Sequence, residues 1–271
     1  MRILFLNHNV IESGTFQRVF HLARELVRLG HRVTLVTTSR SARVRARRTT
    51  RDGVGVVEAP DLLWGAARTG WDPYNALRRL GLLAGEPFDV VHAFDARPAV
   101  IVPALAVARR GATLFMDWAD WWGRGGTIEE RSGWLVRTLI GPIETWFEEA
   151  FRTRAAGTTV ISAALEGRCA GLGVARERVL RLPNGCASPD PGRPRRDEAR
   201  ARLRLDDAPL LVHLGATHPG DAALLFEAVR LARRQLPRLR LALVGAYGGA
   251  LPADAELARA VHTTGFVAAE H

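Results

Sequence analysis

The sequence contains no lysine: all 38 of its basic residues are arginine. Arginine keeps its proton at any working pH, so Schiff-base chemistry and a lysine general base are excluded. Cysteine is almost as scarce. Cys169 and Cys186 offer neither a metal-ligand spacing nor a disulfide framework, and a reducing cytoplasm is the compartment such usage fits. Long apolar runs are missing too. The apolar opening, residues 1–6, is interrupted at once by Asn7, His8 and Asn9, too short for a signal-peptide core. No stretch approaches the roughly 20 apolar residues of a membrane-spanning helix.

What is present is the composition of a folded protein, 47% hydrophobic and 24% charged over 271 residues. One large or two smaller domains are expected. The net charge of +10 favours anionic partners: nucleotide phosphates, anionic lipid or nucleic acid.

Short apolar runs alternate with helical patterns. Residues 3–6, 33–36, 54–57, 88–92, 113–116, 158–161 and 179–182 read as strands. Helices are predicted over 16–27, 73–83, 99–109, 128–140 and the segment after Gly141-Pro142. There Ile143, Trp146, Phe147, Ala150 and Phe151 form the apolar face. Residues 40–51 read as an arginine-rich loop and 117–126 as a Trp- and Gly-rich loop. Such alternation implies an α/β fold with a doubly wound parallel sheet. Three prolines within 187–194 mark a linker, placed at 187–196, between a domain over 1–186 and a second unit over 197–271. The second pattern has strands at 210–214, 239–244 and 264–267, with helices at 197–203, 221–236 and 253–261. At about 70 residues with an open sheet edge, it is small for an independent domain. The chain is therefore expected to stop inside that domain.

In an open α/β sheet, ligands sit past the carboxyl ends of the strands. Ser13, Gly14 and Thr15 follow the first strand at a helix start, as an anion site or a plain N-cap. The G-x-G-x-x-G spacing of dinucleotide enzymes is absent. His92 and Asp95 lie at another strand end, where a lone histidine is more often structural. Asp117, Trp118 and Asp120 put two acids three residues apart among tryptophans. That pattern suits perturbed acidity or a grip on sugar hydroxyls; a loop pinned by its tryptophans is the plainer alternative. Arg40, Arg43, Arg45, Arg47, Arg48 and Arg51 could touch anionic lipid, although a solvated loop is the simpler reading. No aromatics interleave the run, so nucleic acid is not expected as a partner.

Five stretches, in order, resemble glycosyltransferase family 4, a group with the GT-B fold. They are the first strand with Ser13-Gly14 and its helix ending L-V-R-L-G-H-R-V-T-L-V-T; F-D-V-V-H-A-F-D; T-V-I-S at 159–162; V-L-R-L-P-N-G at 179–185; and L-L-V-H-L-G followed by L-R-L-A-L-V-G. The resemblance implies two Rossmann-like domains, the second incomplete here. It implies retaining transfer of a sugar from a nucleotide sugar to a glycan, lipid or small-molecule acceptor, with no metal and no further cofactor. The site would lie in the cleft between domains. Donor-side candidates are Ser13, Gly14, Thr15, Asn184, Gly215, His218 and Gly245. Acceptor-side candidates are His92, Asp95 and Trp118. Asp117 and Asp120 stand where the family often has a histidine and are the catalytic candidates. The basic pair that often follows the first donor-domain strand is replaced by 215–220, where His218 is a substitute, and the E-x7-E motif is expected beyond His271. The stretch 1–271 alone is expected to be inactive. The expected setting is cytoplasmic, with peripheral contact at an anionic membrane face. The alternative is a non-catalytic GT-B relative that binds a glycan or a partner.

Overall fold

The structure, a computed structural model, describes residues 1–62, 69–130, 133–185, 192, 194–202, 205–215, 217 and 219–267. The chain divides into two compact units, Met1–Ala187 and Ser188–His271. The predicted linker falls largely outside the described residues.

The first unit runs β1 (Arg2–Val10), α1 (Phe16–Arg28), β2 (Arg32–Thr38), β3 (Arg47–Arg51), β4 (Val54–Ala59), α2 (Pro73–Leu82) and β5 (Val90–Phe94). It continues with α3 (Pro98–Ala108), β6 (Thr113–Trp118), α4 (Gly141–Glu149), β7 (Gly157–Val160), α5 (Ala163–Gly171) and β8 (Val179–Arg181). The strands form one sheet in the order β3-β4-β2-β1-β5-β6-β7-β8. All pairs are parallel except β3 with β4. Strand side chains alternate between faces, so β1 feeds two cores. Leu4 and Leu6 join Val100, Ile101 and Ala104 of α3, whereas Ile3 and Phe5 join Phe16, Val19 and Ala23 of α1. Burial on both faces explains why these strands read as continuous apolar runs.

Several predicted boundaries move. β1 does not stop at Leu6 but continues through Asn7, His8 and Asn9. Two β2 hydroxyls stabilise this polar end: Thr38 donates to His8 O at 2.7 Å and Thr37 donates to Asn9 O. The predicted arginine loop contains β3, an antiparallel edge strand that ion-pairs through Arg48–Glu86 and Arg51–Glu12. Charged side chains on an edge strand also discourage further strand pairing. β6 runs on to Trp118, which places Asp117 and Trp118 in the sheet rather than in a loop. Of the helix predicted over 128–140, residues 128–130 form turns, whereas 134–140 are helical, ending in a π-helical stretch, Val136–Ile140, that runs into α4. The apolar face expected for α4 and the residues after it is divided, with Phe147, Ala150 and Phe151 packing on the core as expected. Gly141, Glu144 and Glu148 are buried, while Ile143 and Trp146 face solvent.

The second unit comprises α6 (Arg196–Arg202), β9 (Leu210–Leu214), α7 (Pro219–Ala232), β10 (Arg240–Val244), α8 (Ala255–Ala260) and β11 (Val261–Gly265). Its parallel sheet has the order β9-β10-β11. Ala222, Phe226 and Val229 of α7 pack on Leu241, Leu243 and Leu257. β11 begins three positions earlier than predicted, directly at the end of α8. No helix among the described residues is long and apolar enough to cross a membrane.

Candidate active site at the strand ends of the first unit

The carboxyl ends of β1, β5, β6 and β7 bring most first-unit candidates to one edge. Asn7 pairs with Phe94 in the register of β1 and β5, so His8 and Asp95 follow side by side. His8 Nε2 lies 3.0 Å from Asp95 Oδ2. On its other side, His8 Nδ1 is 3.1 Å from Thr69 Oγ1 and 3.5 Å from Arg97 Nη1. Guanidinium can only donate, so Nδ1 is the acceptor and Nε2–H donates to Asp95. Burial, then the Arg97 charge, lowers the His8 pKa against the pull of Asp95. Burial pushes the Asp95 carboxyl upward. The charges of Arg97 and His8, with hydrogen bonds from His8 and Ala96 N–H, outweigh it and hold Asp95 well below the usual carboxylate range. Asp95 sits at φ +85°, an unusual backbone for a residue with a side chain. Arg97 completes the group, with Nε 3.2 Å from Asp95 and its guanidinium 4.9 Å from the Trp122 ring centroid.

Asp117 is fully engaged. Arg18 of α1 grips both oxygens, Nη2 to Oδ1 at 2.8 Å and Nε to Oδ2 at 3.1 Å, and the Thr159 hydroxyl donates to Oδ1. Arg18 also donates to Leu182 O at 2.9 Å and to Asn184 Oδ1 at 3.1 Å. One guanidinium thus ties α1, β6 and the P-N-G element together. Asp120 differs: it is exposed and takes no hydrogen bond or ion pair from another described residue. Partial burial, then the charges of Asp95 and Asp117, raises its pKa, with Arg97 opposing.

The loop between these acids is held by Glu148 of α4. Its Oε1 accepts from Trp118 Nε1 at 3.0 Å and Trp122 N at 2.8 Å, and its Oε2 accepts from Gly123 N at 2.8 Å. This demand turns the acidic side of α4 inward. Burial still raises the Glu148 pKa despite these bonds. Trp118 is 2% exposed and lies under Arg152, whose guanidinium is 3.7 Å from its ring centroid. Among the described residues, Arg152 Nη1 has no hydrogen-bond partner.

Two adjoining cavities open here. One is a shallow depression lined by Thr15, Asp95, Asp117, Trp118, Asp120 and Arg152 among others. The second, equally shallow, shares Asp95, Trp122 and Glu148 and adds Trp71, Arg97 and Glu144. Among the described residues, no three His, Cys, Asp or Glu side chains form a metal-holding group.

The Ser13–Thr15 region is explained locally. Thr15 Oγ1 donates to Asn9 Oδ1 at 2.6 Å rather than capping α1. Gly14 has φ +55°, and a Cβ there would lie 2.4 Å from Asn9 Nδ2, so Asn9 itself requires glycine at this position. His92 lines neither cavity. It stands inside the sheet, its ring centroid 4.3 Å from that of Phe94 and 5.5 Å from that of Phe5. Burial drives its pKa to about 4. A neutral buried histidine contributes stability that is complete above its unfolded pKa of about 6.5 and is lost as pH falls toward the folded value. The first unit should therefore lose thermal stability between about pH 6.5 and pH 4. His92→Phe should flatten that slope in a melting series; an unchanged slope would assign it to other groups.

In the second unit, Gly215 and Gly245 meet at the ends of β9 and β10. A Cβ on Gly245 would lie 2.2 Å from Gly215 O, and Gly215 N donates to Val244 O at 2.8 Å. His218 lies outside the described residues.

Sequence reasoning missed Arg18, His8, Arg97 and Glu148. Arg18 is three residues after Thr15, hence on the same helix side facing the strand ends. His8 keeps the parity of Leu4 and Leu6, a signal visible once the strand is extended.

A family model described as a glycosyl transferase 4-like domain matches residues 13–185, well over half of the chain. The chain belongs to this glycosyl transferase 4-like family. No curated protein sequence matches it. Solved structures share the fold at low identity. Sucrose-phosphate synthase from Thermosynechococcus elongatus is 16% identical with a TM-score of 0.67, the match covering 98% of this chain and 70% of that one. WaaG, a glycosyltransferase involved in lipopolysaccharide biosynthesis, is 17% identical at 0.66, over 98% and 70%. Anabaena HepE, solved in complex with UDP-glucose, is 17% identical at 0.62, over 99% and 70%. The fold is GT-B, and family and fold together support a glycosyltransferase function.

Proposed function

We propose that this protein is a retaining glycosyltransferase that uses a nucleotide sugar without a metal ion, and that the paired cavities of the first unit hold the acceptor. The supporting observation is Asp120: a carboxylate with raised pKa, free of partners, beside acids that are already paired. In this reading the acceptor oxygen bonds to the anomeric carbon on the same face from which the donor phosphate departs, so configuration is retained, and Asp120 takes the acceptor hydroxyl's proton. The bond from that carbon to the donor phosphate breaks, and the nucleoside diphosphate leaves. Asp117 works through Arg18 as a positioning residue. Trp122 offers an aromatic face, and the unused Arg152 N–H offers a donor to sugar hydroxyls. With Asp95 and Asp117 balanced by Arg97 and Arg18, Asp120 leaves the cavity an excess of negative charge. It therefore suits neutral sugars over uronates or phosphosugars. The donor would be held by the second unit, where Gly215 and Gly245 allow close approach, as UDP-glucose accompanies HepE.

One observation favours the non-catalytic reading for residues 1–271. The stretch 215–220 has no arginine or lysine to stabilise a departing diphosphate. On that reading the protein should bind acceptor without measurable turnover. Ligand-observed saturation-transfer NMR on 1–271 with a set of neutral and uronate-bearing oligosaccharides checks the acceptor site. Neutral sugars should bind and uronates should not, with Asp120→Asn weakening binding by about tenfold, as for loss of one charged hydrogen bond. Equal binding by the variant, or preference for uronates, contradicts the assignment.

A further inference from the structure

The stretch from Gly133 to Glu148 is inside out. Its only charged residues are Arg137, Glu144 and Glu148. Both glutamates are buried and Arg137 is exposed. The solvent side instead carries Trp134 at 67% exposure, Leu135 at 52%, Leu139 at 63%, Ile143 at 51% and Trp146 at 55%. The inversion is enforced from within. Glu148 accepts three N–H groups of the 118–123 segment, so α4 cannot turn to bury its apolar side without stripping that loop. A contiguous apolar face of this kind marks a surface meant for something other than water.

We propose that this face rests on an anionic lipid bilayer. Tryptophans prefer the headgroup layer, where a ring can be half buried, and leucine and isoleucine suit the acyl boundary beneath. The charge pattern selects a lipid surface of negative sign. The face exposes one arginine and no carboxylate, on a chain of net charge +10. The arginine run at 40–51 is a weaker candidate, because Arg48 and Arg51 already pair with Glu86 and Glu12. The other side of the same stretch lines the second cavity through Glu144, Phe147 and Glu148. Bilayer contact would therefore bring that cavity close to lipid headgroups. The proposal does not depend on the transferase reading, and its test needs no nucleotide sugar.

The test is co-sedimentation of the chain with phosphatidylcholine vesicles, pure or with about a third phosphatidylglycerol. The chain should bind the anionic vesicles more tightly. Trp134→Ser/Leu139→Ser/Ile143→Ser should bind them at least about tenfold more weakly, whereas Arg47→Ser/Arg48→Ser should change binding little. Brominated lipid should quench tryptophan fluorescence in the wild type and less in Trp134→Phe, a readout that does not rely on the triple variant. Equal binding to both vesicles, or an unaffected triple variant, would overturn the proposal. So would a wild-type dimer in size-exclusion chromatography that the triple variant dissolves, since the face would then belong to a second copy of the chain.

Discussion

Arg18→Ala should destabilise the first unit by about 3–5 kcal/mol, the cost of leaving a buried charge without its partner. The side chains of Arg18 and Asp117 are 8% and 2% exposed. Removing the guanidinium would leave Asp117 with a single side-chain donor among the described residues, the Thr159 hydroxyl. It would also free Leu182 O and Asn184, so the P-N-G element should lose amide protection as well. The pair is costly to break yet contributes little net stability over an apolar pair of similar size. Arg18→Met/Asp117→Leu should therefore recover much of the loss. Urea denaturation of the four proteins in the cycle measures both effects. A loss below about 1 kcal/mol for Arg18→Ala would class the pair with exposed surface bridges and remove Asp117 from its positioning role.

Asp120→Asn should lower kcat/KM for the acceptor by about 10²–10⁴-fold, the usual contribution of a general base. The pH profile supplies a sharper signature. A base must be unprotonated, so activity falls as pH drops through its pKa. Burial and the neighbouring charges of Asp95 and Asp117 raise that pKa, so the acidic limb should lie above the ordinary aspartate range. In Asp120→Asn the residual rate should lose this limb. Asp117→Asn should instead lower stability and leave the limb in place, because Asp117 is paired with Arg18 away from solvent. Retention of the limb in Asp120→Asn would assign the proton to another group.

Much of the first sheet was legible because its strands are buried on both faces. Ile3 and Phe5 against Leu4 and Leu6 leave no polar position to confuse the pattern. The end of β1 was not legible, because Asn7, His8 and Asn9 look like a break unless the hydroxyls of Thr37 and Thr38 are known to reach them. β3 was hidden in the same way, since an edge strand needs no apolar residues and Arg47–Arg51 has none. The divided face of α4 shows the limit of helical periodicity. Ile143 and Trp146 share the helical spacing of Phe147, which packs inward, but three loop N–H groups converging on Glu148 turn those two outward. In the site, Asp117 and Asp120 were found by composition. Their different conditions follow from Arg18, ninety-nine residues away from Asp117 in sequence, which no local pattern reveals.

The most direct test of the central assignment is nucleoside diphosphate release by the protein. It should be incubated with a set of UDP-, GDP-, ADP- and dTDP-sugars, with and without neutral glycan acceptors, in the presence of a chelator. The account predicts that at least one nucleoside-diphosphate sugar is consumed only when an acceptor is present, with the anomeric configuration of the product retained by NMR. Release that ignores the acceptor, a product of inverted configuration, or no release from any donor would contradict it.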